Sequence, residues 1–393
     1  MSQIFENANL WLETYQSISA TEKYDFIEKT LKQSLTTEFL FQLKSTIIPK
    51  LLDYKDDLEE NKQFEKIFEL IDLIHQNHST FYEDYFYYLD QFAVEHSLFS
   101  DKNEKLPQLL EHFLEFPEKD PRIFLSIFTY LIFYQKYEIA ALLAEKSYES
   151  LNDLNKVRYR MGDKVAIFLA YDLLQKYFEK FLVTKQFNAN AYFNAISKYD
   201  IGNEKKYIAE YVRLFVENRW EVKNFKADFY SYKEYYLNLL AGHFLQTQFL
   251  QNQMNFAISF FIWDNISYYW ERKAGNHEQH SEKYFAIDHR KFHQFLSNLT
   301  SDYFPHYEVN SFALLWGVVY LYEFLFSVEL ISYATYFNAL ESFELLKKDA
   351  ISRYKSTLWK FDFVHRWTKP SSISQEKFDN EKQLFRNSFS SNL

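Results

Sequence analysis

The 393-residue sequence has no cysteine, 5 glycines and 6 prolines, and only 10 of its 44 basic residues are arginine. Without cysteine there are no disulfides, no thiol nucleophile and no Cys-ligated metal. Sandwiches and barrels need turn residues every 8–12 positions, and doubly wound sheets need glycine at their strand-to-helix turns. Helices joined by polar loops need few of either. The shortage therefore predicts an all-α fold, with helix above roughly 65% of residues against the usual third. No two glycines lie within 30 residues of each other, which rules out a dinucleotide fingerprint and a P-loop. Gly-x-Ser-x-Gly, His-Glu-x-x-His and Glu-x-x-His are absent as well. Met1–Leu10 has no basic stretch leading into an apolar one, so no signal peptide is read and a cytoplasmic location is expected.

What is abundant is aromatic: 42 Phe and 32 Tyr. Together with many Asn, Ile and Lys and few Arg, this is the bias that AT-rich codons impose. The rings are expected to fill the core, where each buries a large apolar area. Net charge is −10, unevenly spread. Residues 1–120 hold 24 acidic and 11 basic residues, and the remainder has a small positive excess. An acidic first third is a poor match for nucleic acid, whose phosphates need Lys and Arg, and a better one for a basic protein or peptide.

Apolar residues recur at helical spacing through the first 150 residues: Leu40, Leu43, Ile47 and Leu51, then Phe64, Ile67, Ile71 and Ile74, with an acidic loop Asp56–Asn61 expected between them. Asp120-Pro121 is a helix start, Asp as N-cap and Pro at the first position. Arg122–Ser150 then reads as an aromatic-rich helix, a break at Gln135-Lys136, and a second helix lined by Ala140, Ala141 and Ala144. Similar openings stand at Lys62-Gln63-Phe64-Glu65 and Glu104-Lys105-Leu106, so that Lys62, Lys105 and Lys136 follow one another at 43 and 31 residues. In this respect residues 37–150 resemble tetratricopeptide-like and HEAT-like helical repeats. The resemblance implies an α-solenoid of hairpins offering a protein-binding surface. The Trp-Leu-Gly-Tyr signature of the tetratricopeptide family is missing.

Three regions are expected: an acidic hairpin region over 1–154, a larger aromatic-rich helical domain over 155–370, and a loosely held polar tail over 371–393. The glycines at 162, 202, 242, 275 and 317 fall at intervals of 33 to 42 residues, a spacing that suits punctuation of hairpins. Phe312–Phe337 is long enough to span a bilayer. Glu323 and Glu329 inside it make a buried helix the expected reading, with no membrane span.

Three groups carry candidate chemistry. His277, His280, His289 and His293 fall within 17 residues, and pairs three or four apart share a helical face, a spacing suited to a divalent metal. Asp264, Glu323 and Glu329 lie in apolar helices, where burial raises a carboxyl pKa toward general acid–base use. The run Arg353, Lys355, Trp359, Lys360, His365, Arg366, Trp367 and Lys369 interleaves cations and rings, as single-stranded nucleic-acid grooves do. Its cations also suit a helix C-terminus, and no nucleic-acid partner is expected. In the acidic third, Asp56, Asp57, Glu59, Glu60, Glu65, Glu69 and Asp72 are expected to form a negative ridge for a basic partner. The reading is a binding scaffold without a cofactor, of inhibitor or immunity type. The alternative is a metal- or carboxylate-dependent enzyme with its site in residues 155–370.

Overall fold

A computed structural model describes residues 2–155, 161–217, 222–274, 280–300 and 306–390. More than four-fifths of these are helical, and no strand occurs among them, so the chain is all-α. It forms two compact units, Met1–Glu115 with Arg386–Leu393, and Phe116–Phe385. The division lies well before residue 155, and the last residues return to the first unit.

The first unit contains α1 (Ala8–Ser17), α2 (Ala20–Leu31), α3 (Thr37–Glu60), α4 (Phe64–Asn77), α5 (Ser79–Phe99) and two short helices, α6 (Leu106–Leu109) and α7 (Glu111–Glu115). Ser19 starts α2 with a capping box: its hydroxyl accepts from the Glu22 amide, and the Glu22 carboxylate accepts from the Ser19 amide. Helix α4 buries Ile67, Leu70, Ile71 and Ile74. The acidic segment 56–60 is the last turn and a half of α3 rather than a loop.

The second unit contains α8 (Pro121–Phe133), α9 (Tyr137–Asn155), α10 (Met161–Thr184), α11 (Ala189–Ile196), α12 (Glu204–Glu217), α13 (Val222–Asn252) and α14 (Phe256–Ala274). It continues with α15 (Ser281–Phe285), α16 (His289–Thr300), α17 (His306–Ser327), α18 (Tyr333–Arg353), a 3-10 segment Leu358–His365, and α19 (Gln375–Asn387). Asp120 caps α8 by accepting from the amides of Arg122 and Ile123. Ala140 and Ala144 of α9 are fully buried.

The central helix is α17. It is long and apolar enough to cross a membrane, but 83% of its apolar window is buried inside the protein. It ends at Ser327, ten residues before the expected limit, because Glu329 takes φ 57° and the Leu330 amide turns back to the Leu325 carbonyl at 3.0 Å. The same 6→1 bond closes α3 and α8, with Lys62 and Gln135 at positive φ, and Gln253 at positive φ ends α13 with the Met254 amide on the Gln248 carbonyl at 3.2 Å. Hairpin turns therefore use polar residues with side chains where glycine is usual. Among the glycines in described segments only Gly202 has positive φ. Gly242 and Gly317 sit inside helices: a Cβ on Gly317 would stand 2.5 Å from Ile262 Cδ1, and one on Gly242 2.8 Å from Tyr211 Cδ1. These two glycines mark close packing of helices, not punctuation.

The tail expected to be loose holds α19, whose Phe385 is fully buried against Trp316 and Phe312. Of the aromatic residues, Trp11, Trp270, Trp359, Tyr171, Tyr192, Tyr320 and Tyr322 are among the largest fully buried side chains, so the rings do fill the core.

Candidate functional site

The acidic surface of the first unit is built across α2, α3 and α4. Tyr24 and Tyr54 stack with centroids 4.6 Å apart and planes at 20°. Their hydroxyls donate crosswise, Tyr24 to Asp57 on α3 and Tyr54 to Glu28 on α2. The hydrogen bond to Asp57, then burial and neighbouring carboxylates, push the Tyr24 hydroxyl up to about 12. Burial and the bond to Glu28, with the charges of Asp25 and Glu69 added, raise that of Tyr54. Carboxylates from three helices therefore converge on one pair of rings. Sequence spacing along one helix misses Asp25 and Glu28, because they reach this surface only by packing.

Among the seven ridge residues, Asp56, Glu60, Glu65, Glu69 and Asp72 are exposed and Asp57 is half-buried. Glu59 departs from the expectation: it is 4% exposed and lies 3.7 Å from Lys55, on the buried side of α3. Lys55 also pairs with Asp56 at 2.6 Å, Lys50 with Asp53, and Lys32 with Glu28 at 3.4 Å. No cation pairs with Asp25, Glu60, Glu65, Glu69 or Asp72 among the described residues. Helical spacing places Glu65, Glu69 and Asp72 on one face of α4, opposite its buried stripe.

The histidine segment is split by the fold. His277 lies outside the described residues. His280 precedes α15, while His289 opens α16 and His293 lies one turn further, and all three are exposed. His293 faces a cavity of about 170 Å³ with Asp349 and Arg353 of α18. Among the described residues no three His, Asp or Glu side chains gather in a metal-ligating group.

The apolar-helix carboxylates have separate positions. Glu323 accepts from the backbone amides of Ser371 and Ser372, at 3.2 and 2.6 Å, and so ties the segment before α19 to α17. Glu329 is exposed beyond the end of α17. Asp264 is on α14, and burial by surrounding protein, with Glu271 nearby, raises its pKa. Glu204, pushed up to about 7 by burial with Asp264 adding repulsion, accepts from the Tyr171 hydroxyl at 3.0 Å. That group was not singled out by the sequence, since Glu204 is simply the first residue of an amphipathic helix.

The basic-aromatic run turns its rings inward. Trp359 and Trp367 are buried, and the Trp367 indole donates to the Phe133 carbonyl at 3.0 Å. Arg366 packs over Tyr134 and lies 3.6 Å from Asp362. His365 is 2.9 Å from Glu381 of α19, which also accepts from the Trp316 indole at 2.6 Å. These rings hold the core together and leave no face for stacking on bases.

Comparison with protein-family models, with curated proteins and with solved structures finds no match to this chain.

Proposed function

We propose that the chain is a binding protein built on helical hairpins, and that the acidic surface of its first unit docks a basic protein or peptide segment. One observation carries the reading: five exposed carboxylates on α2, α3 and α4 have no cation partner among the described residues. Uncompensated surface charge of one sign accelerates encounter with the opposite sign and rejects like-charged competitors. The sharpest form of the reading is an inhibitor or immunity-type protein that covers a basic partner.

The test is capture of partners by the full chain and by a triple variant, Glu65→Lys, Glu69→Lys and Asp72→Lys, at about 50 mM and about 500 mM salt. A basic partner should be retained by the parent chain at low salt, and the variant should associate with it several-fold more slowly. Circular dichroism should not change, since exposed charges contribute about 0–1 kcal/mol each. The same partners captured at the same rate by both proteins would remove the reading.

A further inference from the structure

A cavity of about 300 Å³ opens within the second unit, walled by α8, α10 and α14 and lined also by Leu299 and Asn310. It is about twice the volume of an engineered apolar cavity that takes up benzene, so it has room for roughly twelve non-hydrogen atoms. Its walls are mainly aromatic and aliphatic. Phe260, Phe261, Ile132 and Ile167 remain half-exposed there, although buried apolar positions surround them.

The polar groups are gathered at one end. Tyr171 stacks on Phe260 at 4.1 Å, and Gln175 Oε1 accepts from the Phe256 amide at 2.9 Å. Residues 171 and 175 thus face 260 and 256, and α10 and α14 run antiparallel. The same register sets Ile167 opposite Asp264 and puts Lys164 one turn beyond. Leu299 follows Phe295, which packs on Tyr269 of α14, so it reaches the same end beside Asn265. Asn310 arrives with Ser311, whose hydroxyl donates to the Leu296 carbonyl at 3.3 Å. The opposite end, around Ala257, Phe260 and Phe133, is apolar.

Two opposite charges stand at the polar end, and neither is neutralised. Lys164 has no hydrogen bond or ion pair among the described residues, and surrounding protein lowers its pKa. Asp264 has none either, and lies beyond the 4.0 Å ion-pair limit from Lys164. Both side chains line the cavity and are exposed to solvent, so a ligand's charges can reach them. A charged ligand group that loses water on entering the cavity is stabilised only where an opposite charge answers it. A ligand bearing both charges is matched at both side chains, and a ligand bearing one is matched at only one of them.

We propose that this cavity binds a small zwitterionic amphiphile of the class of free aromatic amino acids, its carboxylate on Lys164, its ammonium on Asp264, and its apolar body toward Phe260 and Phe133. Asn265 and Asn310 supply further donors and acceptors at the same end. Pockets of this kind combine an apolar body with a few convergent polar groups.

Calorimetric titration of the full chain with phenylalanine, 3-phenylpropionate and phenethylamine tests the proposal. Phenylalanine should bind, and each singly charged analogue should bind at least about tenfold more weakly, the loss of one charge-assisted contact. Lys164→Met should bring phenylalanine down to the level of phenethylamine, and Asp264→Asn to that of 3-phenylpropionate. Both variants should keep the parent's helical circular dichroism. Equal binding of phenylalanine and either analogue would assign the site to a singly charged ligand and overturn the proposal. So would the absence of heat from all three at millimolar concentration, or unchanged selectivity in both variants.

Discussion

Asp90 of α5 illustrates how much of this protein is decided by single side chains. It is 1% exposed and accepts from the Tyr82 hydroxyl at 2.7 Å. Burial nevertheless pushes its carboxyl up to about 7, against an ordinary value near 4. A folded pKa above the unfolded one means that the native state binds the extra proton. Stability is therefore intact below pH about 4, declines as pH rises through 7, and is lowest above it. Asp90→Asn, which keeps an acceptor for Tyr82, should be nearly neutral at pH 4 and stabilising at pH 8 by on the order of 2–4 kcal/mol, read from urea midpoints at the two pH values. Gly317 gives the opposite kind of sensitivity. Ile262 is fully buried and cannot yield to an added methyl, so Gly317→Ala should lower stability by about 1–3 kcal/mol in the same assay. Neither residue's situation was legible in the sequence. An aspartate on an aromatic helix reads as a surface position until packing encloses it. A glycine within a helical pattern reads as a break until another helix is found against it.

Helices were legible where an apolar stripe runs the length of the element. The stripes of α3, α4 and α8 place those helices, and Asp120-Pro121 marks the start of α8. Their ends were harder to read, since the turns lack the glycine that announces a left-handed residue. Gln135, with φ 61°, closes α8 while the Lys136 amide bonds to the Leu131 carbonyl at 2.8 Å. A residue with a Cβ costs about 1 kcal/mol or more in that conformation. Gln135→Gly should therefore raise the melting point rather than lower it, despite adding freedom to the unfolded chain. A lower melting point would mean that the Gln135 side chain contributes more than its backbone strain costs. The same lack of punctuation carried the expected span Phe312–Phe337 past the end of α17 into the first turn of α18, and left α19 unseen, because a polar helix with one deeply buried ring has almost no apolar stripe. Phe385 is that ring. Phe385→Ala should cost about 3–5 kcal/mol of second-unit stability by opening space beside Trp316 and Phe312.

At the scale of the whole chain, composition alone fixed the class: too few glycines and prolines for sheets, enough aromatic area for a large helical core. The grouping of helices into units was not accessible, because amphipathic stripes say which face is buried but not against which partner. The same limit hid the candidate sites. The acidic surface gains Asp25 and Glu28 from a different helix, and the cavity takes its polar end from α10, α14 and α17. In the first unit, Phe389 stacks on Phe64 at 4.5 Å and lies 4.7 Å from Phe99, closing the aromatic cluster around His96. Phe389→Ala should reduce hydrogen-exchange protection in α4 and α5, while amides of α14 and α17 keep theirs. Equal loss in both units would show that they unfold as one.

That contact also puts a clock on biosynthesis. Phe64 and Phe99 leave the ribosome early, but their partner is encoded beyond the whole of Phe116–Phe385. At about 5–20 residues per second, translating that stretch takes roughly fifteen to fifty seconds. Throughout that interval the nascent first unit shows an unfilled aromatic notch to chaperones or to any other nascent chain, while the second unit is made in the meantime and can begin to fold. The order of assembly then reverses the order of translation, with the first segment synthesised the last to be completed.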